Sequence, residues 1–549
     1  MKSFHNANRD RETLLVAQIA AGISILSFLV YLQRGDLLLY GDAVAHINIA
    51  RRVFDSKTPG LLQLGTVWLP LPHLLMVPFL FSNTLWRSGV GGSIPSMIAY
   101  VLGVAGMFRL ARGALACGTE PDAAARIAGW FAAGIYAANP NLIYLQSTAM
   151  TEPLYLALFI WAGVYFTEFA QQANANEERA KRNASSSLIK CGWCLFGACL
   201  TRYDGWFLAV VMFIAVFWIW RRTRRTDPLE GSAFRKFVLL AAVGPVLWLA
   251  YNAAVYRNPL EFATGPYSAR AIEQKTATPG SPSHPGASNL PVAFSFFLKS
   301  AELNLATADA VQRLWVAVAL LGLIMTLVFD PRLWPLLLLW VPLPFYMLSI
   351  SYSGVPIFLP GWWPHSYYNL RYGLELLPAF AVFAALAANF AIGLISRRPV
   401  RTAIGVALLL LVTGSYVSVW HEGPGCFREA WLNSRDRIAL ENELAQNLEK
   451  LPRDSMLLMY LGDHVGALQT AGIPLSHVIN EGNHRPWKKP SDPDGLWERA
   501  LANPRQYADF VVASDGDAVA TAVEKRQLSE MVVLHGSGER PVTIYWTHR

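Results

Sequence analysis

The stretch LLLYGDAVAHINIARRVF, residues 37 to 54, places four ionisable side chains directly after a long apolar run. If this stretch is helical, Asp42 and His46 lie four residues apart on one face of the helix. Charged groups are costly to bury at a membrane, so this placement predicts contact with a charged or polar substrate. The pattern is equally typical of an interfacial helix in which Asp42 caps the N-terminus and Arg51 and Arg52 extend toward lipid headgroups.

Two turns between later apolar runs carry further charges. Glu152 lies in MTEP, and Arg202 and Asp204 lie in LTRYDGWF. Glu152 could act on a substrate, or it could only stabilise a helix start next to Pro153. Arg202 and Asp204 could also contact a substrate, or they could only pair with each other across a tight turn.

The elements that must position these residues are membrane helices. The chain has 549 residues, of which 53% are hydrophobic and 15% charged, a composition typical of a polytopic α-helical membrane protein. Runs long enough to cross about 30 Å of hydrocarbon recur along the first 420 residues. We predict about eleven spans, at 13–32, 94–111, 124–140, 151–169, 188–201, 205–220, 236–256, 311–329, 333–351, 372–395 and 402–420.

The basic residues predict the direction of threading. The net charge of +8 is concentrated in short loops between apolar runs, which is the positive-inside pattern and does not indicate nucleic-acid binding. Those loops contain Arg109, Arg112 and Arg126, the basic residues at 179–182, RRTRR at 221–225, and the arginines at 397–401. With these loops in the cytoplasm, the N-terminus is cytoplasmic and everything after residue 421 is external.

One apolar run does not fit the count of spans. TVWLPLPHLLMVPFLF, residues 66 to 81, contains three prolines, each of which removes a helix hydrogen bond. If the run crossed the membrane, every later loop would change sides. We therefore expect a broken segment that lies along or dips into the outer leaflet.

The chain divides into two predicted domains. Residues 1–420 form the membrane domain, with external loops at 34–93, 257–310 and 352–371. The loop 257–310 contains TATPGSPSHPGASN, which is either a mobile lid or a flexible stretch without function. Residues 421–549 alternate short β-rich runs, MLLMYLG, DFVVAS, MVVLHG and VTIYW, with helical stretches, which predicts an external α/β domain.

The five cysteines do not predict a redox or metal site. Cys117, Cys191, Cys194 and Cys199 lie in or beside apolar helices, where they are expected to be small buried side chains. Only Cys426 lies in the polar C-terminal part, so no disulfide within that part is expected.

The order of these motifs resembles the GT-C superfamily of polyprenyl-phosphate-sugar-dependent glycosyltransferases. An outward first helix is followed by YGDAVAH and then by the proline-rich WLPLP, and the similarity is greatest to the protein O-mannosyltransferase and aminoarabinose transferase branch. TAMTEPLYLALF resembles the second acidic loop of that branch, and NLRYGLELLPAFAVF its late Arg-Tyr motif. No WWDYG-like motif of the oligosaccharyltransferases is present in the C-terminal part.

The resemblance implies a reaction and a set of roles. A lipid-linked sugar enters from the membrane, and the hydroxyl of an external glycan, lipid or protein acceptor attacks its anomeric carbon. Asp42 matches the general base, and Glu152 matches the second acidic position, which orients the acceptor or holds a cation. Arg371 and Tyr372, in the late motif, are expected to bind the departing phosphate. Arg202 and Asp204 are further candidates for substrate binding.

Two histidines are weaker candidates for substrate binding. His46 has no clustered ligand set, so a structural hydrogen bond is expected more than a metal ligand or second base. His365 lies in GWWPHSYYN, whose aromatic side chains could stack on sugar rings, although tryptophans near a membrane boundary more often form an interface belt.

The residues leave two questions open. A divalent cation is possible, but no ligand spacing demands one, and no other cofactor is indicated. The absence of a glycine-rich phosphate motif argues against a nucleotide-sugar donor. The alternative function is a non-catalytic transporter or flippase for a lipid-linked glycan, which would place paired charges near mid-span and not at the outer boundary.

Overall fold

The computed structural model describes residues 2–116, 121–173, 177–223, 228–276, 282–483 and 494–547. The helices before residue 423 are, in chain order, α1 (Lys2–Arg34), α2 (Gly41–Arg52), α3 (Pro70–Leu80), α4 (Asn83–Arg87), α5 (Val90–Ala116), α6 (Ala123–Ala137), α7 (Pro140–Gln146), α8 (Glu152–Gln172), α9 (Glu178–Cys199), α10 (Asp204–Thr223), α11 (Pro228–Tyr256), α12 (Glu261–Thr264), α13 (Ala269–Thr276), α14 (Leu290–Leu303), α15 (Asp309–Phe329), α16 (Pro342–Tyr352), α17 (Leu377–Leu394) and α18 (Arg398–Glu422). Short 3-10 helices lie at Asp36–Leu38, Leu61–Leu64, Pro331–Trp340 and Leu370–Leu376.

The predicted α-helical membrane fold is confirmed. Within the described ranges, nine helical segments are long and apolar enough to cross a membrane. They are α1, α5, α8, α10, α11, α15, α18, and the two segments in which a 3-10 helix continues into α16 or α17. The two other predicted spans coincide with α6, which has 15 residues, and with the more polar α9. The chain is therefore a multi-pass membrane protein.

The proline-rich run forms a short helix and not a span. Pro70 and Pro72 fall in the first turn of α3, where a missing amide proton costs little, and Pro78 lies inside the helix. Eleven residues of helix reach about 17 Å, which is too short to cross hydrocarbon. The helix packs against α2 and α5.

The chain after residue 423 combines helices with one sheet. Its helices are α19 (Gly425–Leu448), α20 (Leu461–Ala471), α21 (Leu496–Ala502), α22 (Pro504–Tyr507) and α23 (Ala518–Glu524), and a 3-10 helix lies at Leu475–His477. Its strands are β1 (Leu457–Met459), β2 (Val478–Ile479), β3 (Phe510–Ser514), β4 (Ser529–Leu534) and β5 (Val542–Trp546). Three of the four predicted β-rich runs contain β1, β3 and β5, the fourth overlaps β4 from Met531 onward, and the two-residue β2 was not predicted.

The sheet has the order β2-β1-β3-β5-β4. β1 pairs in parallel with β2 and β3, and β5 pairs antiparallel with β3 and β4. Met459, Val512 and Ile544 belong to the large apolar core that continues into the membrane helices. Leu458 and Val511 point to the other face, which helices α21 and α23 cover. Successive side chains of β1 and β3 point to opposite faces of the sheet, so these strands contribute to both buried faces.

A closed ring of three buried hydrogen bonds joins the C-terminal part to the helices before it. Asn48 of α2 donates from Nδ2 to Oε1 of Gln469 at 2.7 Å. Gln469, in α20, donates from Nε2 to the carbonyl of Trp86 at 2.8 Å. Trp86 donates from Nε1 to Oδ1 of Asn48 at 3.0 Å. This ring fixes the start of the C-terminal sheet region against α2, the helix that carries Asp42.

Several residue-level expectations can be compared with the fold. Cys191, Cys199 and Cys426 are buried and Cys194 is partly buried, all as free thiols, while Cys117 lies outside the described residues. In the loop TATPGSPSHPGASN, residues 277–281 also lie outside the described ranges, as do Arg224 and Arg225 of RRTRR.

Candidate active site

Four turns of the chain meet at one end of the membrane helices. Asp42 lies in the first turn of α2, and Glu152 is the first residue of α8. Arg202 lies in the turn between α9 and α10, and Arg371 lies in the 3-10 helix Leu370–Leu376. The structure thereby brings six of the eight predicted site residues into one network of contacts: Asp42, Glu152, Arg202, Asp204, Arg371 and Tyr372.

Arg371 is at the centre of this network. Its Nη2 donates to Oδ2 of Asp42 at 2.5 Å, and its Nε donates to Oε1 of Glu152 at 3.0 Å. Its Nη1 donates to Oε1 of Glu429 at 3.1 Å. A guanidinium presents its donors in a fixed plane, so these three bonds orient the side chain completely.

Arg202 forms a second centre that shares Glu152 with the first. Its Nη1 donates to Oε1 of Glu152 at 3.1 Å, and its Nε lies 3.1 Å from Oδ2 of Asp204 and 3.3 Å from Oε1 of Glu375. Its Nη2 donates to the hydroxyl of Tyr346 at 2.8 Å, and that hydroxyl donates to Glu375 at 2.7 Å. Arg202 and Asp204 do pair with each other, but the pair is also part of the larger network.

Tyr372 lies between the two arginines. The guanidinium carbons of Arg202 and Arg371 are both 5.1 Å from the centre of its ring, a distance at which the aromatic face attracts a cation. Tyr40 makes a similar contact with Arg371, also at 5.1 Å. The Tyr372 ring thus contacts both positively charged guanidinium groups, and the Tyr40 ring contacts that of Arg371.

Exposure distinguishes Asp42 from the other acids of the network. The side chain of Asp42 is 39% exposed, whereas those of Glu152, Asp204, Glu375 and Glu429 are at most 2% exposed. The four buried carboxylates can balance the arginines, but a molecule arriving from outside can reach only Asp42 among these five acids. That is the geometry that a general base requires.

Asp42 does not cap α2. The N-cap residue is Tyr40, no side chain bonds to the free amides there, and the Asp42 carboxylate bonds to Arg371 instead. Arg51 does not extend toward lipid, because it is 6% exposed and donates from Nε to Asp55 at 2.8 Å. The interpretation of this stretch as only an interfacial helix is therefore wrong for these residues.

His46 lies in a buried pair of imidazoles below this network. Its Nδ1 is 2.9 Å from Nε2 of His73, so one ring donates to the other. Burial, followed by the positive charges of Arg371 and Arg202, lowers the pKa of His46 to about 3. Burial also lowers the pKa of His73. Both rings are therefore neutral over the physiological range, as expected of a structural hydrogen bond.

His365 is not part of the network. It is exposed, has a φ of +57°, and contacts the carbonyl of Pro360 through Nδ1 at 3.4 Å. Its role in sugar binding stays a prediction.

Sequence reasoning missed four residues of the site region. His73 and Glu375 are ionisable residues inside apolar runs, a signal that was available in the sequence. Glu429 lies in a polar segment rich in charges, and Tyr346 is one of 20 tyrosines, so neither had a distinguishing signal. Glu429 also accepts the backbone amides of Asn369 and Leu370, which fixes the turn before Arg371.

The carboxylates of the network are bonded to arginines and not arranged as a metal site. Among the described residues, no three His, Cys, Asp or Glu side chains are grouped to hold a metal ion. Oε1 of Glu152, the carboxylate expected to hold a cation, contacts both Arg202 and Arg371. Oε2 of Glu152 is buried and makes no hydrogen bond among the described residues, and the divalent cation stays an untested expectation.

The opposite end of the helices carries basic loop residues. Glu168, near the end of α8 and about 24 Å along the helix from Glu152, pairs with Arg109 at 2.6 Å. Arg112 pairs with Glu12 at 3.2 Å, and Arg126 pairs with the same carboxylate. The helices thus separate the acidic network from the basic loops on which the threading was predicted.

Comparison of whole structures identifies proteins of similar fold. No family model matches this sequence, and no curated protein matches it. The crystal structure of ArnT from Cupriavidus metallidurans bound to undecaprenyl phosphate superposes with a TM-score of 0.54 at 15% identity, covering 96% of this chain and 97% of that one. The apo form of the same protein gives a TM-score of 0.51 at 14% identity, covering 95% and 97%.

The similarity extends over almost the full length of both chains, including the membrane helices and the C-terminal sheet region. At this level of sequence identity it concerns the fold alone. The resemblance predicted from the order of the motifs is therefore confirmed as a similarity of fold: this chain shares the fold of ArnT.

Proposed function

We propose that this protein is an inverting glycosyltransferase that moves a sugar from a polyprenyl-phosphate carrier to an acceptor hydroxyl. The observation that carries the proposal is the pairing of a reachable Asp42 carboxylate with Arg371 inside a buried charge network. The support from comparison is that the similarly folded ArnT was crystallised with undecaprenyl phosphate.

In the proposed reaction, Asp42 takes the proton of the acceptor hydroxyl as the oxygen attacks the anomeric carbon. The new carbon–oxygen bond forms on one face of the sugar while the bond to the lipid phosphate breaks on the other, so the configuration inverts. The electron pair of the broken bond goes to the phosphate, which gains one negative charge. Arg371 and Arg202 supply fixed positive charge to it in a site with little water.

The Asp42–Arg371 contact suggests how the donor prepares the base. A phosphate that binds Nη2 of Arg371 competes with Oδ2 of Asp42, which is bonded to that atom here. The carboxylate released by this exchange becomes available to an acceptor. Glu152, shared by both arginines, keeps them aligned throughout.

In the predicted threading, the proposed site lies outside the cell. With the basic loops in the cytoplasm, the network and the C-terminal α/β domain face the external side of the cytoplasmic membrane. The acceptor is then an external glycan, lipid or protein.

The test compares Asp42→Asn with Asp36→Asn. Asp36 lies at the same end of the helices and pairs with Arg34 at 2.8 Å, outside the network, so its replacement is a matched control. Purified protein in proteoliposomes is given a panel of polyprenyl-phosphate-linked pentoses and hexoses together with an envelope-derived acceptor fraction. Release of free polyprenyl phosphate is measured by mass spectrometry.

We expect release to fall roughly 100-fold or more in Asp42→Asn, as for loss of a general base, and to be retained in Asp36→Asn. Equal release by Asp42→Asn and the unsubstituted protein would show that Asp42 is not the base. Movement of the intact lipid-linked sugar between leaflets, without release of the phosphate, would favour the transporter alternative.

A further inference from the structure

Helix α19 begins where the chain leaves its last membrane span. α18 ends at Glu422 and α19 starts at Gly425. Between them Gly423 has a φ of +90°, a conformation that glycine adopts readily, and Pro424 follows, so the helix axis cannot continue. The first turns of α19 therefore lie at the level of the membrane boundary.

α18 is a peripheral helix whose surface faces lipid. In its most apolar stretch of 18 residues, only 17% of the residues are buried within the protein. The side chains of Leu410, Val417 and Trp420 are 66%, 61% and 44% exposed. Trp420 lies two residues before the end of α18. One face of the start of α19 is thus next to the bilayer, while Cys426 and Phe427 on its other face pack against the preceding helices.

The exposed face of the first turns of α19 is both apolar and basic. Arg428, Trp431, Leu432 and Arg435 recur at the helical spacing of three and four residues, and all four are exposed. Trp431 and Leu432 are 44% and 45% exposed, and the guanidinium of Arg435 lies 4.7 Å from the Trp431 ring. We name these four residues the α19 stripe.

The exposed residues change in character beyond the α19 stripe. From the next position onward they include Asp436, Asn442, Glu443 and Gln446, which are polar or acidic. The helix axis rises about 1.5 Å per residue, so this change takes place within about 12 Å along the helix. Such a gradient is expected of a helix whose first turns touch a membrane surface and whose later turns are in water.

The opposite face of the same turns holds the candidate active site. Glu429 follows Arg428 directly, is buried, and accepts hydrogen bonds from Arg371 and from the amides of Asn369 and Leu370. Further along α19, Asn433 donates from Nδ2 to the carbonyl of Tyr367 at 2.8 Å. The α19 stripe is therefore rigidly connected to the segment that carries Arg371.

We propose that the α19 stripe is a binding surface for the headgroups of anionic phospholipids in the adjacent leaflet. Two exposed arginines provide charge complementary to the headgroups, and Trp431 and Leu432 enter the boundary between headgroups and acyl chains. In the predicted threading this end is external, so the positive-inside pattern does not account for the two arginines of the stripe.

The first experiment places a photo-crosslinking amino acid at two exposed positions of α19, Trp431 and Glu443, in the full chain. The protein is reconstituted in vesicles of phosphatidylcholine that contain 30% phosphatidylglycerol. We expect Trp431→p-benzoylphenylalanine to label lipid and Glu443→p-benzoylphenylalanine to label it at least tenfold less. The same two variants are also irradiated in native membranes. Equal lipid labelling at both positions in vesicles, or labelling of a protein in place of lipid at Trp431 in native membranes, would overturn the proposal.

The second experiment tests the selectivity for anionic headgroups. Native mass spectrometry measures phosphatidylglycerol and phosphatidylcholine retained by the detergent-solubilised full chain. The double variant Arg428→Gln/Arg435→Gln is expected to bind phosphatidylglycerol roughly thirty-fold less tightly, from about 1 kcal/mol per arginine, with no change for phosphatidylcholine.

The matched control is Arg453→Gln/Arg526→Gln, which removes two exposed arginines from the C-terminal sheet region. We expect this control to bind like the unsubstituted chain. An equal loss in both double variants would show a general charge effect and would contradict a specific surface on α19. Unchanged binding of phosphatidylglycerol in Arg428→Gln/Arg435→Gln would also contradict it.

Discussion

Arg371 is the residue at which the charges of the site converge. Its guanidinium bonds to carboxylates supplied by α2, α8 and α19, while the carboxylate from α8, Glu152, also contacts Arg202. The sequence predicts Asp42, Glu152 and Arg202 because each is an ionisable residue beside an apolar run, and Arg371 because its Arg-Tyr motif resembles that of the GT-C superfamily. It does not show that one carboxylate bridges both arginines, since that depends on how four distant turns pack.

Glu152 is expected to stabilise the site through this bridge. Glu152→Gln keeps the shape of the side chain but removes the negative charge shared by Arg202 and Arg371. Arg202 and Arg371 each keep two other carboxylate partners, so the loss is that of two charge-assisted hydrogen bonds, about 3 kcal/mol, measured by thermal unfolding in detergent. The control Glu168→Gln breaks the ion pair between Glu168 and Arg109. Because the Glu168 side chain is 25% exposed, this substitution is expected to cost less than about 1 kcal/mol. Equal costs would contradict the bridging role.

The buried pair His46–His73 predicts a dependence of stability on pH. The folded-state pKa of His46, about 3, lies below its ordinary value of 6.5. Between pH 6.5 and pH 3, His46 is therefore protonated in the unfolded chain but not in the folded chain. The free energy of unfolding consequently decreases as the pH falls from 6.5 toward 3. The slope approaches about 1.4 kcal/mol per pH unit for each such histidine.

The measurement is the melting temperature of the detergent-solubilised protein between pH 7 and pH 4. The double variant His46→Phe/His73→Leu removes both imidazoles and should melt with a shallower pH dependence, whatever its stability at pH 7. A variant whose slope equals that of the unsubstituted protein would show that other groups cause the loss.

At the scale of elements, apolar length and prolines predict most of the helices. Each of the eleven predicted spans coincides with a helix, and three prolines predict that residues 66–81 do not cross the membrane. β2, with two residues, is too short for any periodic pattern. The contribution of α19 to the site was not predicted either, because Glu429 and Glu441 look alike in a polar amphipathic helix and only packing distinguishes them.

The hydrogen-bonded ring of Asn48, Trp86 and Gln469 is expected to hold α20 against α2 and α4. Gln469→Ala removes one of the two hydrogen bonds of the Asn48 amide nitrogen and one of those accepted by the Trp86 carbonyl, which should cost about 1 to 3 kcal/mol. The control Gln446→Ala removes an exposed glutamine of α19 and should change stability by less than about 0.5 kcal/mol. Thermal unfolding compares them, and a Gln469→Ala variant as stable as the control would show that the ring contributes nothing to docking.

At the scale of the whole molecule, the site exists only because the helices return repeatedly to one end. Asp42 and Glu429 are separated by most of the chain, yet both bond to the same guanidinium. The shared direction of the preceding spans predicts that Asp42, Glu152, Arg202 and Arg371 lie on one side of the membrane, whereas the contact with Glu429 was not predicted. The fold that results is shared with ArnT over nearly the full length at 15% identity, so the arrangement of helices is kept while most side chains differ.

The direction of threading is tested by cysteine labelling in intact cells. Lys57, in the segment after α2, and Arg222, near the end of α10, are both exposed and lie on opposite sides in the predicted threading. In a chain with Cys117 replaced by serine, we expect Lys57→Cys to react with a membrane-impermeant maleimide and Arg222→Cys to react only after the cells are opened. The remaining cysteines described by the structure are buried or partly buried, so their background should be low. Reaction of Arg222→Cys in intact cells, with Lys57→Cys protected, would place the arginine–carboxylate network in the cytoplasm and exclude an external acceptor.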